Sequence, residues 1–255
     1  LGAELRGSFV EEESRFVYYP AGFSAEGAVP VAAPLPEADL AEELRKVREE
    51  GAAIRQAFQQ AVRGKSCPNE LIQVRGDVIE ILIRHARGVD LVVMGRRGRH
   101  DPGGSTAAGP TTATLIHNAL RPVLVVPAGV TGNGTFVFAY DGSKGAQRVI
   151  AAGTELACAV KARAAVISVG EDPRVQQDHE QVLTRYWQPH GLRVSFHTVK
   201  RRGKTAAQLV AFAREQRAGM MAMGAFGHHP LHELFFGSTT LDTLADAPCP
   251  VLLMG

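Results

Sequence analysis

The chain repeats itself, and this repeat constrains the fold more than any other feature of the sequence. Four segments match in the same order, 127 to 129 residues apart: 75–76 with 202–203, 90–98 with 219–227, 109–112 with 237–240, and 121–126 with 249–254. One match could arise by chance, but four in one order indicate a duplicated unit. The chain of 255 residues is long enough for two such units, each with its own share of the core.

Each unit alternates the signals of strands and helices. In the second unit, short apolar runs predict strands at 136–139, 164–169, 220–223 and 251–254, and alternation predicts one at 194–199. Helices are predicted at 143–160, 174–190, 204–217 and from about Ser238. Ser143 is a candidate N-cap for the first of these helices. Unbroken apolar strands that alternate with helices predict an α/β fold, with a doubly wound parallel sheet covered on both faces.

The two units are predicted at 1–128 and 135–255, joined by a short Gly-rich linker. Val10 corresponds to Val169, so the strand and helix predicted at 136–159 have no counterpart in the first unit. We expect that an N-terminal segment is missing from this chain, and a genuinely shortened first unit is the alternative. Residues 11–36, with four prolines, are expected to form a surface loop. Residues 40–61 carry one apolar stripe, which predicts a helix that packs on the sheet rather than a coiled coil.

Composition narrows the class of protein. The 28 Lys and Arg against 26 Asp and Glu leave a net charge of +2, which excludes a strongly basic nucleic-acid binder. The longest run without polar side chains, 218–227, is too short to span a membrane. The three cysteines lack metal-ligand spacing, which favours reduced, buried thiols in a cytoplasmic protein.

Three segments of the second unit should meet at the carboxyl edge of its sheet, where ligands bind in such folds. They are Asp141-Gly142-Ser143, Val169-Gly170 and the long segment 224–239. Gly224 and Gly227 would let the backbone approach a ligand closely. Gly237-Ser238-Thr239 opens a helix, and free N–H groups, the helix dipole and two hydroxyls there favour an anion such as phosphate. The alternative is a turn and a capped helix without a ligand, but together with Asp141 the pattern favours nucleotide binding.

These residues resemble the universal stress protein family. Its nucleotide-binding members carry G-x2-G-x9-G-[ST] after the fourth strand, which Gly224, Gly227, Gly237 and Ser238 match, and an Asp after the first strand, matched by Asp141. The resemblance covers essentially the whole chain and implies a sheet order of 3-2-1-4-5 with ATP, with or without Mg²⁺, as the ligand. The residues that it implies at the site are Asp141, Gly142, Val169, Met223, Gly224, Gly227, Gly237, Ser238 and Thr239. Family members pair through their fifth strands, which two units in one chain could do internally, and a homodimer stays open.

The first unit departs from this pattern. Gly95, Gly98 and Gly109 are present with one extra residue in the loop, and Pro110 stands where Ser238 stands. Proline offers neither an N–H group nor a hydroxyl, so we expect weak nucleotide binding or none in this unit. The arginines of its loop (Arg96, Arg97 and Arg99, with His100) could instead hold a phosphate by charge or face solvent.

No catalytic constellation is evident in the sequence. His228 and His232 are four residues apart, like a pair of metal ligands, and His229 lies next to His228. No third ligand stands at a suitable spacing, so no metal site is predicted. The resemblance therefore implies an ATP-binding stress-response regulator. The alternatives are a nucleotide-independent scaffold or dimerisation protein, and an enzyme with at most slow ATP hydrolysis.

Overall fold

A computed structural model describes residues 2–18, 32–98, 108–130, 132–170, 172–225 and 237–255. The strands are β1 (Leu5–Glu12), β2 (Val17–Tyr18), β3 (Ala33–Pro34), β4 (Asn69–Gly76), β5 (Val92–Gly95), β6 (Val123–Val126), β7 (Thr135–Ala139), β8 (Ala164–Val169), β9 (Val194–Val199), β10 (Ala218–Gly224) and β11 (Val251–Met254). The α-helices are α1 (Glu37–Val62), α2 (Val78–Ala86), α3 (Pro110–Asn118), α4 (Lys144–Ala159), α5 (Pro173–Trp187), α6 (Thr205–Glu215) and α7 (Ser238–Asp246). Among these described helices, none is both long and apolar enough to cross a bilayer.

Seven strands form one sheet in the order β5-β6-β11-β10-β7-β8-β9. The second repeat supplies β7 to β11, and its strands lie in the order 3-2-1-4-5 with every neighbouring pair within the repeat parallel. The predicted α/β fold with a doubly wound parallel sheet is therefore confirmed. The strands β8, β9 and β11 have the predicted bounds. Strands β8 and β11 are buried along almost their whole length, whereas β9 combines half-buried residues with the exposed Ser195 and Thr198.

The fifth strands of the two repeats pair with each other. Strand β6 lies antiparallel to β11, with Val125 opposite Val251 and Val123 opposite Leu253. The four residues named here are almost fully buried. The fifth-strand pairing that the resemblance implies is thus made within this single chain.

Helices cover both faces of the seven-stranded sheet, as a doubly wound fold requires. On one face, strand residues that include Val137, Ile167, Met221 and Leu253 are buried together with residues of α6 and α7. On the other face, strand residues that include Phe138, Val166 and Leu252 are buried together with residues of α4 and α5. Because side chains alternate along each strand, both faces must be apolar, which explains the unbroken apolar runs in the sequence.

By spatial contact the chain divides into residues 1–82 and 83–255. Strands β5 and β6 of the first repeat therefore belong to the same compact unit as the whole second repeat. Within the described residues, the first repeat has no counterpart of β7 and α4. The correspondence on which the repeat was aligned holds, because β1 starts at Leu5 and β8 starts 159 residues later at Ala164.

In the unit 1–82, β1 and β4 pair in parallel and α1 packs on them. Gly51 of α1 is buried against Phe9 and Gln73, which is why the apolar stripe of this helix tolerates a glycine. The prediction of a plain loop at 11–36 was wrong at both ends. Residues 13–16 form a 3-10 turn, and β2 and β3 pair antiparallel. Arg15 fixes the turn by pairing with Glu43 and Glu50 of α1.

A buried hydrogen bond joins α5 to α4, and its loss should be measurable. The Nε1 atom of Trp187, a residue 2% exposed, donates to Oγ1 of Thr154 at 2.6 Å. We expect Trp187→Phe to lower the free energy of unfolding by about 1–3 kcal/mol, because it removes the donor and leaves a small void. Urea denaturation measures the change. Thr154→Val tests the same bond from the other side. If the two losses simply add in the double variant, the hydrogen bond does not couple these residues.

Candidate functional site

The predicted site residues of the second repeat that the structure describes lie at or near one edge of the sheet. Ala139 lies opposite Ile167 and Phe138 opposite Ala222, so Asp141, Val169 and Gly224 all lie at or just beyond the carboxyl ends of adjacent strands. Met223 lies one residue earlier in β10 and is buried. The N-terminus of α7 adjoins the same edge, because the Thr240 hydroxyl donates to the carbonyl of Ala225 at 2.8 Å.

The turn after β7 is built by short polar side chains. The Oδ1 atom of Asp141 accepts a hydrogen bond from the Ser143 N–H at 2.9 Å, and the Ser143 Oγ accepts one from the Ala146 N–H at 3.2 Å. Ser143 is thus the N-cap of α4, as predicted. Gly142 between them has φ +78°, a conformation that favours glycine. The exposed Asp141 therefore orders the turn, whatever else its carboxylate binds.

Gly224 is needed by the fold itself. A Cβ atom at this position would lie 2.7 Å from the Ala146 nitrogen and 3.0 Å from the Gly145 carbonyl carbon. The end of β10 therefore lies directly against the first turn of α4, with glycine on both sides of the contact. Gly224 is not among the residues with left-handed φ, so close approach rather than backbone conformation explains it. The sequence motif predicts for this glycine only a close approach to a ligand.

The N-terminus of α7 has no side-chain cap. Its N-cap residue is Gly237, whose carbonyl accepts from the N–H groups of Thr240 and Leu241. Ser238 is exposed and Thr239 is half-buried. A Cβ atom at Gly237 would meet no described atom within 4 Å. Gly227 lies outside the described residues, as do all of residues 226–236 with their three histidines.

Two polar side chains at this edge were not predicted from the sequence. Among the described residues, Nε2 of Gln176 and Nδ1 of His179 are buried and have no hydrogen-bond partner. Both belong to α5. Gln176 Nε2 lies 3.1 Å from the Cβ position of Gly170, and His179 Nε2 lies 2.6 Å from that of Gly142. Buried polar atoms without partners are costly, so they mark a place where a ligand could supply the missing bonds. In the sequence they read as two ordinary polar positions of a surface helix.

The corresponding edge of the first repeat is arranged differently. Pro110 is the first residue of α3, as its alignment with Ser238 in the second repeat predicts. Arg96 does not point to a phosphate site, because its Nη1 atom donates to the backbone carbonyls of Leu244 and Ala245 at the end of α7. The suggestion that it holds a phosphate or faces solvent was therefore wrong. Arg99 and His100 lie outside the described residues.

The three cysteines carry no disulfide. Cys249 is buried as expected, and burial raises the pKa of its thiol to about 11, so it is neutral at physiological pH. Cys67 and Cys158 are only half-buried, contrary to expectation. Within the described part of the chain, no group of three or more His, Cys, Asp or Glu side chains is arranged to hold a metal ion.

These features define a tandem, doubly wound α/β protein with an uncapped helix N-terminus and a glycine contact at the edge of one sheet. The model of the universal stress protein family matches residues 17–127 and 132–254. The chain therefore belongs to the universal stress protein family, with the family unit present twice.

Individual relatives agree with this assignment. The chain is 26% identical over 171 residues to the universal stress protein Slr1230 of Synechocystis, a match that covers 64% of this chain and 57% of that protein. It is 29% identical over 133 residues to a universal stress protein of Thermus aquaticus, covering 47% of this chain and 97% of that one. A universal stress protein structure from Archaeoglobus fulgidus has the same fold, with a TM-score of 0.70, 19% identity, and coverage of 86% of this chain and 83% of that one.

Proposed function

We propose that this chain is a nucleotide-dependent stress-response regulator, with ATP bound at the carboxyl edge of its second repeat. One observation carries the proposal. The turn after β7, the end of β8, the end of β10 and the uncapped start of α7 converge on this edge. Ligands of doubly wound folds bind at such an edge.

The phosphates fit the start of α7. The first N–H groups of a helix have no partner within it, and the dipole places a partial positive charge there. Gly237, the N-cap, places no side chain beside those groups, and Ser238 and Thr239 add two hydroxyl donors. We expect Asp141, in the turn directly after β7, to contact the ribose or a Mg²⁺ ion bound to the phosphates, because carboxylates are ligands that Mg²⁺ prefers.

The base fits the side of the edge nearer α5. Val169 ends β8, and the unpartnered Gln176 and His179 side chains follow on the helix that packs there. An amide N–H of Gln176 can donate to a ring nitrogen of adenine, and the His179 ring can donate or accept according to its tautomer. Both side chains would gain the hydrogen bonds that the described residues do not supply.

A nucleotide-independent scaffold is the second candidate, and the antiparallel pairing of β6 with β11 favours it. This pairing joins the two repeats without any ligand. The two candidates differ in one respect, because a scaffold needs no affinity for nucleotide. Slow ATP hydrolysis would be a property of the first candidate, and measuring phosphate release from the purified chain detects it.

Alanine at Thr239, compared with alanine at Thr111, tests the site by calorimetric titration with Mg-ATP. The two threonines occupy the same place in the two repeats, and both are half-buried. We expect Thr239→Ala to weaken ATP binding about tenfold, because it removes one hydrogen bond to a charged phosphate. Thr111→Ala should leave the affinity unchanged, since Pro110 interrupts that site. Equal effects of the two changes would contradict the assignment to the second repeat.

A further inference from the structure

A cleft of about 1210 Å³ lies at the amino edge of the seven-stranded sheet, at the opposite end of the strands from the proposed nucleotide site. It is lined by the starts of β7, β8 and β9 and by the segments that follow α4 and α6. All of its lining residues belong to the compact unit 83–255. Since ligands of doubly wound folds bind at the carboxyl edge, the fold itself does not explain this cleft.

The charge of the cleft is strongly positive. Of its eighteen lining residues four are lysine or arginine, and one, Glu215, is acidic. The four cationic residues come from three connections: Lys161 and Arg163 between α4 and β8, Arg193 directly before β9, and Arg217 directly before β10. The Ala164 N–H donates to the carbonyl of Arg193 at 3.3 Å, so Arg163 and Arg193 enter neighbouring strands side by side. The fold thus gathers at one edge four cations that are up to 56 residues apart in the sequence.

Two of these residues have an unusual backbone. Lys161 and Arg217, with φ of 53° and 49°, are the non-glycine residues with positive φ in the described part of the chain. Each stands just after a helix. The Lys161 N–H donates to Cys158 and the next N–H, of Ala162, donates to Ala157, which is the hydrogen-bond pattern that usually places glycine at this position. Both left-handed positions therefore carry a long cation where glycine would fit without strain, and both line the same cleft.

The ends of the helices offer a competing explanation. A helix C-terminus carries about half a negative charge, so a nearby cation stabilises it. That explanation accounts for the positive charge at Lys161 and Arg217. It does not account for Arg163 and Arg193, which stand at the starts of strands. The explanations also make opposite predictions for stability. Cations that serve the helices should stabilise the fold, whereas cations kept for a ligand should be dispensable to it.

We propose that this cleft is a second ligand site, which binds a small anion carrying two or more phosphate groups. Guanidinium groups pair with phosphate oxygens in a two-bond geometry, and several cations around one cleft suit several linked anionic groups. The cleft is of the size that holds small molecules rather than a single ion. The net charge of +2 for the whole chain favours a small anion over nucleic acid.

Calorimetric titration of the full chain with inorganic tripolyphosphate at low ionic strength tests the proposal. The double change Lys161→Gly with Arg217→Gly should weaken binding at least about tenfold, because each cation contributes a charge-assisted hydrogen bond. It should leave Tm unchanged or raise it by up to about 4 °C, because glycine adopts left-handed φ freely. Arg163→Gln with Arg193→Gln should weaken binding similarly. Arg63→Gly with Lys65→Gly removes the same charge from the unit 1–82 and should change nothing.

Other results would overturn the proposal. If Gly237→Val abolishes tripolyphosphate binding and Lys161→Gly with Arg217→Gly does not, the probe binds at the start of α7. If the double change Lys161→Gly with Arg217→Gly lowers Tm and leaves binding intact, the cations stabilise the helix ends. Equal binding of citrate would contradict a phosphate site, and tighter binding of a single-stranded oligonucleotide would contradict a small anion. No binding of tripolyphosphate to the unchanged chain would contradict any such site.

Discussion

Gly237→Val should weaken ATP binding about 100-fold or more without unfolding the protein. The reason is local. Gly237 is the N-cap of α7, and valine would add an isopropyl group beside the N–H groups proposed to hold the phosphates. A loss of about 3 kcal/mol, the scale of a displaced charge-assisted contact, corresponds to about 100-fold in affinity. Calorimetric titration with Mg-ATP gives the affinity.

The structure predicts that this variant folds normally. No described atom lies within 4 Å of a Cβ at Gly237, and its φ of −57° is open to any residue. Its Tm should therefore stay within a few degrees of the unchanged protein. Gly237→Ala is the graded control, and its affinity should fall between the two because it adds one methyl group. An unchanged affinity in the valine variant would contradict the site, and a large fall in Tm would show that the glycine is structural.

Gly224→Val should have the opposite outcome, with a large loss of stability. Its Cβ would lie 2.7 Å from a backbone nitrogen of α4, and that contact cannot be relieved by turning a side chain. Forcing the end of β10 away from α4 should cost about 3 kcal/mol or more, which for a domain of this size lowers Tm by about 6–12 °C. Thermal and urea unfolding measure the change.

The comparison of the two glycines separates structure from binding. Both belong to one sequence motif, and motif matching assigns both to the ligand. Gly224→Val should lower Tm whether or not nucleotide is present, and Gly237→Val should lower affinity alone. Gly224→Ala is the matched control, and it should already destabilise, because the clash begins at the Cβ atom. A stable Gly224→Val variant would show that β10 can move away from α4 at little cost.

The repeat and its apolar strands made the core of the fold predictable from the sequence. A strand buried on both faces has a nearly continuous apolar run, so β8 and β11 could be located to the residue. Strand β9 could be located because apolar and polar residues alternate along it. Ser143 could be identified as an N-cap, because a short hydroxyl before a helix bonds to the N–H groups that the helix leaves open. The helix at 40–61 could be predicted because its apolar residues recur every three or four positions.

What depends on distant partners could not be predicted. Arg96 bonds to carbonyls 148 and 149 residues away, and nothing in its neighbours signals this. The pairing of β2 with β3 involves two residues on each side, too short for any pattern. In the sequence, Gln176 and His179 have the pattern of solvent-facing helix residues. The fold buries Gln176 and the Nδ1 atom of His179. The cationic cleft at the amino edge likewise has no motif, since glycine is absent from the left-handed positions at Lys161 and Arg217.

We propose that one adenine nucleotide binds per chain, in the second repeat. The most direct measurement is to denature the purified protein and count the nucleotide released per chain by mass spectrometry, with calorimetric titration of Mg-ATP on any protein that is empty. We expect about one adenine nucleotide per chain from either measurement. About two per chain would contradict the interruption of the first site by Pro110. No released nucleotide together with no calorimetric response would contradict nucleotide binding and favour the scaffold.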